Sequence, residues 1–413
     1  MADQVTETTS SSFGQNIVSS VKGVVIGLIL FIASFVILWI SEGQTNWGKV
    51  AKTSREITGD RVNAAAEGAF VSISGKLVSP DEVGDPGYLK PGPYLSLSRQ
   101  VEMYAWTEKS SSKTKKKIGG GSETTTTYSY EREWTGSPDD SSGFKQPEGH
   151  FNPSLSVEDR EFRVGQASVG AYPVAIGRLG LPGGSRVELN EEILGFSVPV
   201  PAPTAPGPAP EQPAGAEAAQ ATTPVPVPAA PAPDQPRLAG GYIYLGAGSP
   251  QAPRIGDIRI SYLALPAGTE VTVFGVQKEG KLAPYSYEDS TFYRALAGGR
   301  AEAISQLGTE YKVKVWIMRA IGFLAMWFGM MLMVGPISTL LDVLPFLGNL
   351  SRGIFNLVLF PVALVLSLLT ILISKVAHNP IALIVVLLVI VGGGAFWFRK
   401  ARAAKAAAAE AGS

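Results

Sequence analysis

Four stretches of this chain carry apolar runs longer than a soluble core element needs. Residues 23–41 and 353–374 hold no charge over 19 and 22 positions. At about 1.5 Å of rise per residue, either run crosses a hydrocarbon layer of about 30 Å as a helix. Residues 380–398 form a third such run, and 315–335 a fourth. The last contains Arg319, near its start, where a long side chain is expected to snorkel to the headgroups. The pattern predicts transmembrane helices at 21–41, 315–335, 353–374 and 380–398. The first is read as an uncleaved anchor, because "LWISEGQTNWG" (38–48) offers no small-x-small cleavage site.

Between the first two helices the period shortens to two. Apolar and polar residues alternate between Gly and Pro punctuation at 69–78, 94–106, 186–190, 242–246, 255–265 and 270–277, which predicts strands. In "VEMYAW" (101–106), Val101, Met103 and Ala105 share one face, and Glu102, Tyr104 and Trp106 the other. In "YSYEREW" (128–134), Tyr128, Tyr130, Arg132 and Trp134 share a face, opposite Ser129, Glu131 and Glu133. A polar, basic, glycine-rich connection joins the two runs, so a hairpin with a long mobile tip is expected. Glu102 is expected to face Arg132 across the ladder, with aromatics stacked beside them, each pair contributing about 0.2–1 kcal/mol. From Arg300 the spacing of Ile304, Leu307, Tyr311 and Val315 turns helical and runs into the second span.

The expected fold class is a multi-pass membrane protein: four transmembrane α-helices plus a large β-rich (α+β) extracytoplasmic domain interrupted by a Pro/Ala-rich disordered loop. Along the chain this gives a cytoplasmic tail (1–20), the first helix, and the first part of the domain (42–198). The loop (199–236), too poor in apolar residues to fold, is followed by the second part (237–299) and a connecting amphipathic helix (300–314). An in-plane or re-entrant segment (336–352), interrupted by Pro336 and Pro345, separates the second and third spans. Residues 399–413 form a cytoplasmic tail.

Charge sets the orientation. Lys22, Arg352, Arg399, Lys400, Arg402 and Lys405 flank the terminal face, against Lys375 in the opposite short loop, so both termini are expected in the cytoplasm. Overall the chain is balanced, with 35 basic and 35 acidic residues, which excludes a basic nucleic-acid binder. There is no cysteine, so disulfides, thiolate metal sites and thiol nucleophiles are excluded. With only two histidines, His150 and His378, no metal or other cofactor is expected. His150, in "GHFNPS", is read as a turn residue or a proton shuttle. Lys109, Lys113, Lys115, Lys116 and Lys117 on the hairpin tip form either a solvated loop or a contact with anionic lipid. Gly23 and Gly27, and Gly392, Gly393 and Gly394, are candidates for close helix packing.

With these pieces in order the chain resembles the transmembrane protein 43 family, also called LUMA. The likeness rests on "SEG" after the first span, "ISG" (73–75), "VEMYAW", "YSYEREW", "GHFNPS" (149–154), "AIGRLGL" (175–181), "GDIRISY" (256–262) and "MRAIGFLAMWFGMMLM" (318–333). The resemblance implies an integral membrane protein with a large exported or luminal domain. It also implies self-association and a scaffolding role, which in eukaryotic members is played in the endoplasmic reticulum and nuclear inner membrane beside emerin and lamins. No catalytic residues are assigned to that family. The Pro/Ala insertion and the lack of cysteine suggest a bacterial member, placed in the cytoplasmic membrane.

The expected function is a non-enzymatic scaffold whose partners are membrane lipids, further copies of the chain and envelope or membrane proteins. A channel or transporter subunit is the alternative, although Arg319, Lys375 and Arg399 all sit at span ends. An envelope hydrolase would draw on Glu102, Glu131 or Glu133, which lack a second carboxyl at a diagnostic spacing.

Overall fold

The computed structural model describes residues 3–196, 235–343, 345–379, 381 and 383–385. The Pro/Ala-rich loop, the C-terminal tail and nearly all of the fourth expected helix fall outside these residues. The chain divides into two compact units. A strand-rich unit takes in Met1–Thr6, Thr53–Ser111 and Thr127–Ala303, and a mainly helical one Glu7–Lys52, Ser112–Thr126 and Ile304–Ser413.

The principal strands, in chain order, are β1 (Asp3–Ser11), β2 (Phe70–Val78), β3 (Tyr94–Lys116), β4 (Ser122–Thr135), β5 (Tyr242–Leu245), β6 (Ile258–Pro266) and β7 (Thr269–Lys278). One sheet runs in the order β1, β4, β3, β6, β5 and then Arg237–Ala239. Its register places Val101 opposite Ile260 and Met103 opposite Ile258. The alternation in "VEMYAW" therefore turns Val101, Met103 and Ala105 into a core shared with Leu97, Ile243 and Tyr262. A second sheet centres on β2 and β7, paired antiparallel with Val273 opposite Ile73. Val71, Ile73, Leu77, Val271 and Val273 are fully buried in its core. β-branched side chains fit this double-sided burial because they fill a pleated surface with little rotamer freedom to lose.

The predicted strand at 186–190 shrinks to Ser185–Arg186, paired with β6. Residues 3–11, expected in a tail, form β1 instead. Only Val5 among them is apolar, so the ladder with β4 rather than hydrophobic alternation defines this strand.

The helical unit contains α1 (Phe13–Glu42), α2 (Trp47–Lys52), α3 (from Arg300 to Met333), α4 (Gly335–Leu341) and α5 (Pro345–Ala377). Among the described residues three segments, Phe13–Lys52, Arg300–Met333 and Gly353–Ala377, are long and apolar enough to cross a membrane. α1 starts eight residues before the expected 21. Ser12 and Gln15 form a capping box there: the Ser12 hydroxyl accepts from Gln15 N, and the Gln15 side chain accepts from Ser12 N. This satisfies orphan donors and lets a polar first turn precede the apolar run.

The segment 336–352, expected to be in-plane or re-entrant, is largely helical. Pro336 lies in the first turn of α4 and Pro345 is the first residue of α5. Proline is tolerated there because the first helical N–H groups lack intrahelical partners, so the two prolines that interrupt the segment each mark a helix start.

Candidate functional site

In the helical unit α1 and α3 run antiparallel and touch backbone to backbone. A methyl group on Gly27 would lie 2.6 Å from Gly329 O, and one on Gly329 would lie 2.8 Å from Gly27 O. Further along, a methyl group on Gly322 would lie 2.6 Å from Leu38 Cδ2. Leu38, Met326, Met330 and Ala363 form the buried centre of the bundle, with Phe323 and Trp327 set edge-on to Phe360. A methyl group on Gly23 would make only ordinary contact, 3.9 Å from Leu332 Cδ2. Gly392, Gly393 and Gly394 lie outside the described residues.

Each end of this bundle is closed by an ion pair. At one end Arg319 does not snorkel. Its Nε donates to Glu42 Oε1 at 2.7 Å and its Nη2 to Oε2 at 2.9 Å, a two-pronged contact between α3 and α1. The Glu42 side chain is only 5% exposed, and the guanidinium also lies over the Trp316 ring. Sequence reasoning took Arg319 as a lone charge, because its partner is 277 positions away. α5 joins the same end: Ser374 Oγ donates to Trp39 O, and His378 packs on the Trp39 ring.

At the other end the tip of the β3–β4 hairpin docks. Lys116 Nζ lies 2.9 Å from Asp342 Oδ2, whose side chain is wholly buried just after α4. Gly119 N donates to Val343 O, and Asn16 Nδ2 to Gly120 O. Gly120 itself, at φ +79°, sits so close to the Phe13 ring that no Cβ fits. The tip therefore belongs to the end of the bundle where α1 begins. Lys117 pairs with Glu123, while Lys113 and Lys115 are exposed.

On the strand-rich unit the hairpin aromatics alternate with cations. Glu102 faces Arg259, not Arg132, because β3 pairs with β6 at that position. The carboxylate accepts from Arg259 Nε at 2.6 Å. Arg259 lies over both Trp134 and Tyr242, and Trp134 also meets Tyr104 and Tyr244. Arg132 lies over Trp106. Tyr128 sits beneath Lys145, and Lys109 pairs with Glu131 and, more loosely, Glu133.

His150 closes the turn that begins at Pro147, its N–H donating to the Pro147 carbonyl, and is buried. It is 1% exposed, stacked on Tyr130 and edge-on to Trp106. Both ring nitrogens face oxygens, Nδ1 the Gln146 carbonyl at 2.9 Å and Nε2 the Asp3 carboxylate at 3.0 Å. Tyr130 donates to Glu108, and burial with that carboxylate pushes its hydroxyl up to about 12. Asn152 receives Trp106 N–H and donates back to Trp106 O, acting as one rung of a strand.

Two further buried aspartates escaped the sequence reading. Asp85, 2% exposed, accepts from Arg99 and from the Tyr262 hydroxyl. Asp257, 3% exposed, accepts from the Tyr244 hydroxyl, Gly248 N and Arg254 N. Burial and the neighbouring carboxylate raise the titration of both tyrosines. Each aspartate follows a glycine, in "GD" at 84–85 and 256–257, which is the one local signal that marks them. Among the described residues no group of three His, Asp or Glu side chains is placed to hold a metal ion.

Membrane-length helices and a strand-rich body define a membrane protein with an α+β domain. Comparison with known proteins gives its family: the family model for Transmembrane protein 43 matches residues 103–180 and 208–380, more than half of the chain, which therefore belongs to that family. The chain is 27% identical to Transmembrane protein 43 of Mus musculus over 401 residues, covering 92% of this chain and 90% of the mouse protein. The Homo sapiens protein is 26% identical over 400 residues, with the same coverage. A Transmembrane protein 43 homolog of Drosophila melanogaster is 28% identical over 160 residues, covering 35% of this chain and 42% of that protein. No solved structure matches the chain.

Proposed function

We propose that this protein is a non-enzymatic membrane scaffold that self-associates and gathers membrane or envelope partners. The observation that carries the proposal is how the helical unit uses its charges. Glu42, Arg319, Lys116 and Asp342 join one element to another at the two ends of the bundle. An ion path needs ionisable groups facing water at mid-membrane. Here the crossing of α1 and α3 is filled by Gly27, Gly329, Leu38 and Met326. Outward faces such as Val25, Ile29 and Ile32 on α1 and Leu357, Leu368 and Leu372 on α5 are exposed and apolar, suited to lipid and to a second copy alike. On the other unit, the carboxylates a hydrolase would draw on are held by Arg259 and Lys109.

Self-association is testable in membranes because the chain has no cysteine. Ile29→Cys and Leu368→Cys variants are oxidised in the bilayer, and the native assembly is weighed in nanodiscs. Covalent dimers and a multiple of the chain mass are expected. Monomer mass with no cross-link at either position would end the scaffold reading. Specific ion flux in proteoliposomes, altered by substitutions in the spans, would replace it with the channel reading.

A further inference from the structure

We propose that the strand-rich unit carries a binding site for a carboxylate borne on an apolar stem, in the cleft where the loop between β5 and β6 faces Tyr88 and the Ser156–Val157 segment. Every residue lining this cleft belongs to the strand-rich unit. Its volume of about 480 Å³ falls within the range of small-ligand sites, about 300–1,000 Å³.

The chemistry of the lining is one-sided. Val157, Leu245, Ile255 and Ile258 give the cleft an apolar wall, and three side chains bring polar hydrogens to it: the Arg254 guanidinium and the Tyr88 and Ser156 hydroxyls. Among the described residues none of these three polar groups has a hydrogen-bond or ion-pair partner. Asp257 carries the one carboxylate in the lining, and it is already filled. It is 3% exposed and accepts from the Tyr244 hydroxyl, Gly248 N and Arg254 N. Arg237 lies over that same Tyr244 ring and donates to Gly246 O and Gly248 O, so its charge offsets that of Asp257. The Arg254 charge is left over. Glu158 and Asp159 follow Val157 in sequence but do not line the cleft, and the Asp159 carboxylate is turned to Val101 N.

The site is fixed before any ligand arrives. Arg254 N donates to Asp257 Oδ2 at 2.7 Å, and Asp257 N donates back to Arg254 O at 3.0 Å. Gly246, at φ +128°, and Gly248 approach the same carboxylate so closely that a side chain on either would collide with it. Tyr88 is held from both directions: its N–H donates to Asp85 O, its carbonyl accepts from Gly195 N, and its ring lies beneath Arg99. Groups ordered in advance lose less entropy on binding.

These features select the ligand. A guanidinium meets a carboxylate through two parallel N–H···O bonds, and the two hydroxyls supply further donors. One uncompensated cation suits a monoanion better than a doubly charged phosphate. The apolar wall takes the stem. Two sources of this chemistry match, the C-terminus of an apolar peptide and a small aryl or alkyl acid. The site acts independently of whether copies of the chain associate.

The test uses the full chain in nanodiscs and fluorescence anisotropy of a dye-labelled alanyl-valyl-leucine peptide with a free carboxyl end. Saturable binding is expected, weakened roughly tenfold or more in the peptide amide and by Arg254→Gln, the loss of a charge-assisted contact. Tyr88→Phe and Ser156→Ala are expected to weaken it severalfold, and Arg254→Lys to fall between Arg254→Gln and the native chain. Because the Arg254 side chain has no protein partner among the described residues, urea unfolding of Arg254→Gln is expected to match the native chain, which separates lost binding from lost structure. Competition by phenylpropionate at concentrations where phenyl phosphate has no effect would extend the site to small acids, and binding of the peptide alone would assign it to C-termini. Equal affinity for acid and amide, stronger competition by phenyl phosphate, an unchanged affinity in Arg254→Gln, or no binding of either carboxylate would each overturn the proposal.

Discussion

Gly27 and Gly329 meet at the crossing of α1 and α3 with no room for a side chain on either, each facing the other's carbonyl oxygen. Close approach of this kind replaces the missing hydrophobic drive between helices in lipid with van der Waals contact. Because the blocking atoms belong to backbone, neither helix can yield without separating. Gly27→Ala and Gly329→Ala are each expected to cost about 1–3 kcal/mol. Gly23→Ala, one turn away, where the added methyl group would make only ordinary contact with Leu332, is expected to change stability by a few tenths at most. Unfolding of the three variants in detergent micelles, followed by circular dichroism, checks the contrast. Equal loss at Gly23 and Gly27 would mean the crossing point lies elsewhere.

The Glu42–Arg319 pair invites a double-mutant cycle. Removing one partner leaves an uncompensated charge in a site where Glu42 is nearly buried, a loss of about 3–5 kcal/mol in comparable buried pairs. Removing both, as Glu42→Gln with Arg319→Met, restores neutrality and is expected to recover most of that loss. The readout is the same micelle unfolding, with the single variants Glu42→Gln and Arg319→Met measured in parallel. Strict additivity of the two single losses would show that the contact contributes nothing.

Buried tyrosines make the strand-rich unit sensitive to alkali. Tyr130 and Tyr293 are each pushed up to about 12 from an ordinary value of 10.0, chiefly by burial, and Tyr244 and Tyr262 are raised as well. A raised value means the folded state holds the proton more tightly than the unfolded state does. Stability from these groups is therefore complete below about pH 10 and is lost as pH rises toward about 12. A spectrophotometric tyrosine titration of the folded chain is expected to show a delayed class of phenols that ionise as the unit unfolds. Tyr262→Phe, which removes the hydroxyl held by Asp85, is expected to take one phenol out of that class. A titration with every tyrosine ionising near 10 would exclude these environments.

The readable parts of the sequence were those whose cause is local. Long uncharged runs marked the lipid-facing centres of α1, α3 and α5, and alternation marked the core faces of β2, β3, β6 and β7, because burial acts on each residue separately. β1 left no such mark, since "DQVTETTSS" is defined by its pairing with β4. The first turns of α1 were hidden for a related reason: Ser12 and Gln15 stabilise a helix start through backbone hydrogen bonds, which hydropathy does not see. At the candidate site the residue types were visible but their partners were not. Arg319 finds Glu42, Lys116 finds Asp342 and Glu102 finds Arg259, each choice fixed by tertiary register across distances the chain pattern does not encode.

Glu102 and Arg259 form an ion pair whose two halves should matter unequally. The carboxylate is 35% exposed and makes one contact with the guanidinium, so Glu102→Gln keeps the shape and loses an interaction of the surface kind, about 0.2–1 kcal/mol. Arg259 does more, because its guanidinium lies over Trp134 at 4.6 Å and over Tyr242 at 4.8 Å. Each such face contributes about 0.5–1 kcal/mol at an exposed site. Arg259→Ala also strips the aliphatic stem from the gap between the rings, so its loss is expected to be about 2 kcal/mol and to exceed that of Glu102→Gln. Arg259→Lys is expected to fall between them, since an ammonium keeps the charge but not the planar stack. Equilibrium urea unfolding of the full chain in micelles, with tryptophan fluorescence reporting on Trp134, ranks the three. If Glu102→Gln proved the most damaging, the carboxylate would have a role that this aromatic and cation ladder does not explain.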